Sequence, residues 1–105
     1  MINLEDNIKK FFKRKLEIEE TLSTSNLDPK EYATLSKELS DTTQVTDLSS
    51  LINSKKNELE DLYILLRDKA SDSDLQDMAK EESKILENEL NSLNKKLELD
   101  ILPKD

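Results

Sequence analysis

The chain has 105 residues, 34% of them hydrophobic, and its 24 acids against 16 bases give a formal net charge of −8. That length holds one domain at most. Glycine, cysteine and histidine are all absent, which argues against glycine-rich phosphate loops, thiol chemistry, the usual zinc sites and an imidazole general base, so no cofactor is expected.

About half of the residues are Ala, Glu, Lys, Leu or Arg, the composition of long helices and coiled coils. With two Phe, two Tyr and no Trp, the core has to be built mainly from leucine and isoleucine. The apolar runs are far shorter than the ~20 residues a membrane helix needs. The N-terminus "MINLEDNIKKFF" lacks the apolar centre of a signal peptide, and its acids set it apart from a transit peptide. A soluble cytoplasmic protein is therefore expected. The serines have no imidazole to activate them, so no enzyme is expected either.

Asn3 reads as an N-cap, with Glu5 and Asp6 at the positive end of a first helix. Leu4, Ile8, Phe11, Phe12, Leu16, Ile18 and Leu22 recur at roughly helical spacing, so this helix is expected over about 4–22. Its last turns carry Glu17, Glu19 and Glu20, the wrong sign for a helix C-terminus. The segment "STSNLDPKE" then breaks the pattern. Asp28 caps a second helix whose first position is Pro29, where a missing N–H costs nothing.

From Pro29 the apolar positions continue to about residue 69 without proline or glycine, predicting one helix of roughly 60 Å. The weak stretch is "SDTTQVTD", residues 40–47, rich in poor helix formers. A kink there, or a restart capped by Thr46 or Asp47, is the alternative to a continuous rod. Ser71, Asp72 and Ser73 compete as the next cap, and Ser73 with Gln76 fits a capping box. Leu75, Met78, Ala79, Leu86, Leu90, Leu93 and Leu97 then predict a third helix over 73–99. Two short connections make antiparallel neighbours. The expected architecture is all-α, an elongated antiparallel hairpin or three-helix bundle around one long central helix.

Residues 1–16 carry five bases and two acids, against the acidic sign of the rest. In "KKFFKRK" the cations Lys9, Lys10, Lys13, Arg14 and Lys15 are the candidate partner contact, for RNA phosphate or an acidic protein. The plainer reading, preferred in an acidic chain, sends Phe11 and Phe12 to the core and leaves the cations as a solvated rim. Phosphate binding needs several cationic contacts, so little direct RNA binding is expected. The acids Asp72, Asp74, Asp77, Glu81 and Glu82 invite a calcium reading, but a calcium loop requires a glycine at its tight turn. They read instead as a cap and a solvated face.

Three stretches in series resemble one family. "NLDPKEYATLSKELS" (26–40), "DSDLQDMAKEE" (72–82) and the terminal "ILPKD" (101–105) are similar, in order and spacing, to the N-terminal helical domain of bacterial class I peptide chain release factors. The resemblance runs from about Leu27 onward, and its "LPKD" exit points to the branch that reads UAA and UAG. It implies a docking module near the ribosomal stalk base, positioned also to affect the methyltransferase that modifies the Gly-Gly-Gln glutamine. It implies no catalytic residue here, since neither Gly-Gly-Gln nor Pro-x-Thr occurs. On this reading residues 100–105 are the exit toward codon-reading and Gly-Gly-Gln domains, and the domain is a monomer. The rival reading is a free-standing helical adaptor or coiled coil, which would bury its leucine stripes between subunits.

Overall fold

A computed structural model describes residues 3–102. Three helices account for nearly all of them: α1 over Leu4–Thr24, α2 over Pro29–Arg67 and α3 over Ser73–Ile101. No strand occurs among the described residues. The molecule measures 63 × 29 × 20 Å with a radius of gyration of 19.3 Å, against the ~13 Å of a compact domain this size. Its length is essentially that of α2, whose 39 residues span about 58 Å at ~1.5 Å each.

The first two helix starts follow their capping residues. Asn3 Oδ1 accepts the Glu5 N–H at 3.0 Å, and Asp28 Oδ1 accepts the Glu31 N–H at 2.8 Å with Pro29 behind it. The acidic end of α1 has a local explanation. The hydroxyls of Thr21, Ser23 and Thr24 donate to the carbonyls of Glu17 and Glu20 at 2.7–3.0 Å, so hydroxyl donors serve there instead of cations. The helix accordingly runs to Thr24, past the expected Leu22.

At the hinge from α2 to α3 the helix starts where expected, but its capping differs from the sequence expectation. Ser73 is the first helical residue of α3, and Asp72 holds the N-cap position without a side-chain bond. No capping box forms, because Gln76 is used elsewhere. Its amide donates to the carbonyls of Leu65 and Asp68 at 2.9 Å and to Ser71 Oγ at 2.6 Å. The side chain at the start of α3 thus adds a donor to carbonyls at the C-terminal end of α2 and its cap. Asp68 stops α2 by accepting the Ala70 N–H, an Asx turn, so α2 ends at Arg67 and not near 69.

α2 is helical without a break through 40–47, the stretch where a kink was the alternative. That stretch is also among the most buried of the helix, with Thr42, Val45 and Thr46 inside. The Thr46 hydroxyl donates to the Thr43 carbonyl at 3.1 Å, so a small polar side chain goes inside with its hydrogen bond satisfied by its own helix. Ser83 does the same on α3, donating to the Lys80 carbonyl at 2.8 Å.

α1 and α3 both run antiparallel to α2, packing against it extensively and touching each other only slightly. Val45, Leu48, Ile52, Leu90 and Leu97 form the central cluster, joined by Ile8 and Phe11 from α1. α3 continues through Asp100 to Ile101, two residues beyond the expected end. Leu102 is extended (φ −61°, ψ 140°), as a residue preceding proline prefers. Residues 103–105, the remainder of "ILPKD", lie outside the described residues.

Candidate functional site

The five cations of α1 do not form one surface. Successive helical residues are turned by about 100°, and that rotation gives each of them a different environment. Arg14 is spent on structure: its guanidinium meets the Glu38 carboxylate in a two-pronged ion pair, with Nη2–Oε1 at 2.8 Å, and touches Glu17 at 3.4 Å. The pair ties α1 to α2. It holds the Glu38 carboxyl below the usual carboxylate range and the Arg14 guanidinium above its own. Lys15 is half-buried on the side that carries Phe11 and Ile18. Lys9, Lys10 and Lys13 are exposed, and none has an ion-pair partner among the described residues.

The two phenylalanines also part company, which corrects the plain reading of "KKFFKRK". Phe11 packs on the core cluster, whereas Phe12 is 41% exposed and Leu16, one turn further, 69% exposed. Adjacent helical positions cannot both face one neighbour, and Ile18, fully buried, marks the core side together with Ile8 and Phe11. Sorting the apolar residues of α1 by helical angle separates Ile8, Phe11 and Ile18 from Phe12 and Leu16. That was the signal available in the sequence.

Two open grooves flank α1. One, about 440 Å³, lies beside the Arg14–Glu38 pair between Lys10, Phe11, Val45 and Ile101. The other, about 450 Å³, has Lys9 and Phe12 on one wall, Lys56 and Asn53 on the other, and Ile8, Ile52 and Leu97 toward the core. Lys56 was not among the expected contact residues, because only the pairing of α1 with α2 brings it opposite Lys9.

The far end of the hairpin is tied by polar contacts between α2 and α3. Tyr63 Oη donates to Glu87 Oε1 at 2.6 Å and Lys55 Nζ meets Glu89 Oε2 at 2.7 Å. Each carboxylate pushes its partner's pKa up, the Tyr63 phenol through Glu87 and the Lys55 ammonium through Glu89. Ile64, Leu75 and Met78 are exposed around this end. Asp74 lies in the first turn of α3, where its charge suits the helix dipole. No group of three or more Asp, Glu, His or Cys among the described residues is arranged to hold a metal ion. No helix among them is long and apolar enough to cross a membrane.

A three-helix rod around a long central helix has many potential relatives, so its sequence has to place it. The model of the PCRF domain matches residues 11–105. The chain belongs to the PCRF domain family. Peptide chain release factor 1 of Wolbachia pipientis is 33% identical over 99% of this chain, and that of Pelagibacter ubique 40% identical over 84%. The Bacillus subtilis factor of the same name is 31% identical over 95%. These matches bear out the resemblance to the N-terminal domain of release factor 1, and the family match begins inside α1, earlier than Leu27 where the sequence motifs start. The chain spans under a third of the curated relatives' length, 29%, 25% and 28% of these three. No solved structure matches it.

Proposed function

We propose that this PCRF domain serves translation termination as the N-terminal helical module of a release factor 1, a docking element without catalytic residues of its own. The observation that carries the reading is the family match over 95 residues of the chain, joined to relatives named for that activity. Peptide release at UAA and UAG then depends on domains bearing Pro-x-Thr and Gly-Gly-Gln, motifs that this sequence lacks. The rod would reach toward the ribosomal stalk base. The methyltransferase acting on the Gly-Gly-Gln glutamine is a second partner on this reading, and the setting is the cytoplasm.

One observation supports a docking role: the grooves beside α1 are open to solvent and bordered by the exposed lysines Lys9 and Lys10. The test is peptide release from ribosomes stalled at each stop codon. The chain alone should release nothing, and a factor containing it should act at UAA and UAG but not UGA. Crosslinks from the chain within that factor should fall at the stalk base. Release by the chain alone, or crosslinks only at distant ribosomal sites, would contradict the proposal.

The rival reading, a self-associating coiled coil, needs apolar stripes left open along the rod. Leu86, Leu90 and Leu97 of α3 are buried within the chain and only Leu75 and Met78 of that stripe stay exposed, which favours the docking module.

A further inference from the structure

The solvent-facing side of α1 carries an organised surface that the packing of the rod does not use. Lys9, Phe12, Lys13 and Leu16 follow one another at i, i+3, i+4 and i+7, so they share one face over two helical turns. Lys13 and Leu16 point away from the side holding Phe11 and Ile18, while Lys9 and Phe12 border the groove that Ile8, Ile52 and Leu97 also line. Phe12 and Leu16 are among the exposed large apolar residues, at 41% and 69%. Single exposed apolar residues need no explanation, but two in successive turns framed by cations form a patch. Across the groove, Lys56 of α2 adds a third positive charge opposite Lys9. Neither Lys9, Lys13 nor Lys56 takes part in an ion pair among the described residues.

The charge is local and bounded. Residues 7–16 contain no acid, while Glu5 and Asp6 precede them and Glu17, Glu19 and Glu20 follow. Glu5 is the one acid lining the groove. A protein of net charge −8 therefore keeps one two-turn window of opposite sign, with apolar side chains at its centre.

We infer that this face of α1, with Lys56, is a docking site for an amphipathic acidic helix of another protein. Such a helix would lay its apolar side on Phe12 and Leu16 and its flanking carboxylates against Lys9, Lys13 and Lys56. The size fits, since two turns span about 11 Å, the width of one helix lying across another. The chemistry favours protein over nucleic acid. A phosphate backbone running past the window would meet glutamates at both ends, and Phe12 is the one ring in the window, where stacking of successive bases uses several. The carboxylates of an acidic helix need only the cations inside the window. This inference stands apart from the release-factor reading, because it rests on the charge and exposure of α1 alone.

The test uses a fluorescent synthetic peptide of about 20 residues, long enough to hold a helix, with leucines along one side and glutamates beside them. Anisotropy should show saturable binding to the whole chain, weakened by added salt. The double substitution Lys9→Glu/Lys13→Glu should weaken it by about tenfold or more, as should Phe12→Ser/Leu16→Ser. All four residues are exposed, Phe12 the least of the apolar pair at 41%, so circular dichroism should show both variants folded, the lysine variant melting with the parent and the apolar one within a few degrees of it. Isotope-edited NMR should place the shifts on residues 9–16 and around Lys56. Equal affinity in the variants, no binding, or shifts centred elsewhere would overturn the inference. A uridine oligonucleotide binding more tightly than the peptide would overturn it in favour of nucleic acid. Self-association that disappears in Phe12→Ser/Leu16→Ser would make a second copy of this chain the occupant and overturn it equally.

Discussion

The middle of the rod and its hairpin tip are built on different terms. Between about residues 42 and 56 of α2, both α1 and α3 lie against the long helix, and Val45, Leu48, Ile52 and Leu97 are closed off from water. Toward the tip only α2 and α3 remain. The contacts there are half-buried leucines, the small buried side chains Ala79 and Ser83, the Tyr63–Glu87 hydrogen bond and the Gln76 amide. A third helix lets large apolar residues of α2 such as Val45, Leu48 and Ile52 be closed off from water. Where only two helices meet, the leucines of α2 are half-buried, and directional hydrogen bonds add to what burial supplies. Regions with few buried contacts open at lower free energy than the core, and the tip should be the first part of the rod to open.

The sharpest way to break that comparison is to make the same cut in both regions. Leu97→Ala removes a side chain only 2% exposed and should cost about 2–5 kcal/mol in urea unfolding. Leu75→Ala at the tip, where the side chain is 42% exposed, should cost only about 0.5 kcal/mol. Comparable losses would show that the tip is as much core as the middle. The next effect is Gln76→Ala, which removes one of the donors to each of the carbonyls of Leu65 and Asp68 and should cost about 0.5–1.5 kcal/mol. Hydrogen exchange should quicken around residues 65–79 and change far less in the middle; uniform quickening would mean that the rod opens as one unit.

Thr46→Val tests the polar seam of the middle. The Thr46 hydroxyl serves only its own helix, through Thr43, so thermal unfolding should shift by less than the equivalent of about 1 kcal/mol. A larger loss would mean that the hydroxyl also holds a neighbouring helix.

The smallest effect is in pH. The Arg14 hydrogen bond holds the Glu38 pKa down, so the pair's contribution is present above the carboxylate's unfolded value and fades as pH falls through the lower folded one. The loss sets in below about pH 4, and Glu38→Gln should flatten that part of an acid titration followed by circular dichroism. In the pairs between α2 and α3 the sign reverses. Lys55 and Tyr63 are both pushed up by their glutamates, so their contribution is present below about pH 10 and lost as pH rises through the folded values.

The ends of the helices were legible because capping is local chemistry. Asn3, Asp28 and Pro29 act on groups two or three residues away, and they start α1 and α2 where the sequence indicates. The third helix also starts at the expected Ser73, but without the capping box. Gln76 has a local partner in that pattern, but the carbonyl of Leu65, eleven residues back, accepts its amide once α2 and α3 are folded together. The polar stretch 40–47 looked like a weakness when judged by intrinsic propensity. Packed between two helices, its small side chains are an advantage, and burial outweighs propensity differences of a few tenths of a kcal/mol per residue.

The candidate contact site divides along the same line. A cluster of cations on α1 was visible in the sequence, and so were two phenylalanines beside it. Which cation is free and which is a strut depended on Glu38, a residue 24 positions away. Lys56 entered only because α1 and α2 pair in one register.

Sequence alone thus determined that the chain forms three helices, where they begin, that its charge is acidic with a basic patch near the start, and which family its motifs resemble. All of these rest on interactions within a few residues or on composition. Tertiary structure decided which apolar residues are core and which are surface, which end of the rod is closed and which is tied by hydrogen bonds, and what each cation does. Helical periodicity points to one buried face only when a helix has one neighbour. α2 has two neighbours, on different sides and over different lengths, so its apolar residues are spread around the helix and acquire their meaning only from what lies against them.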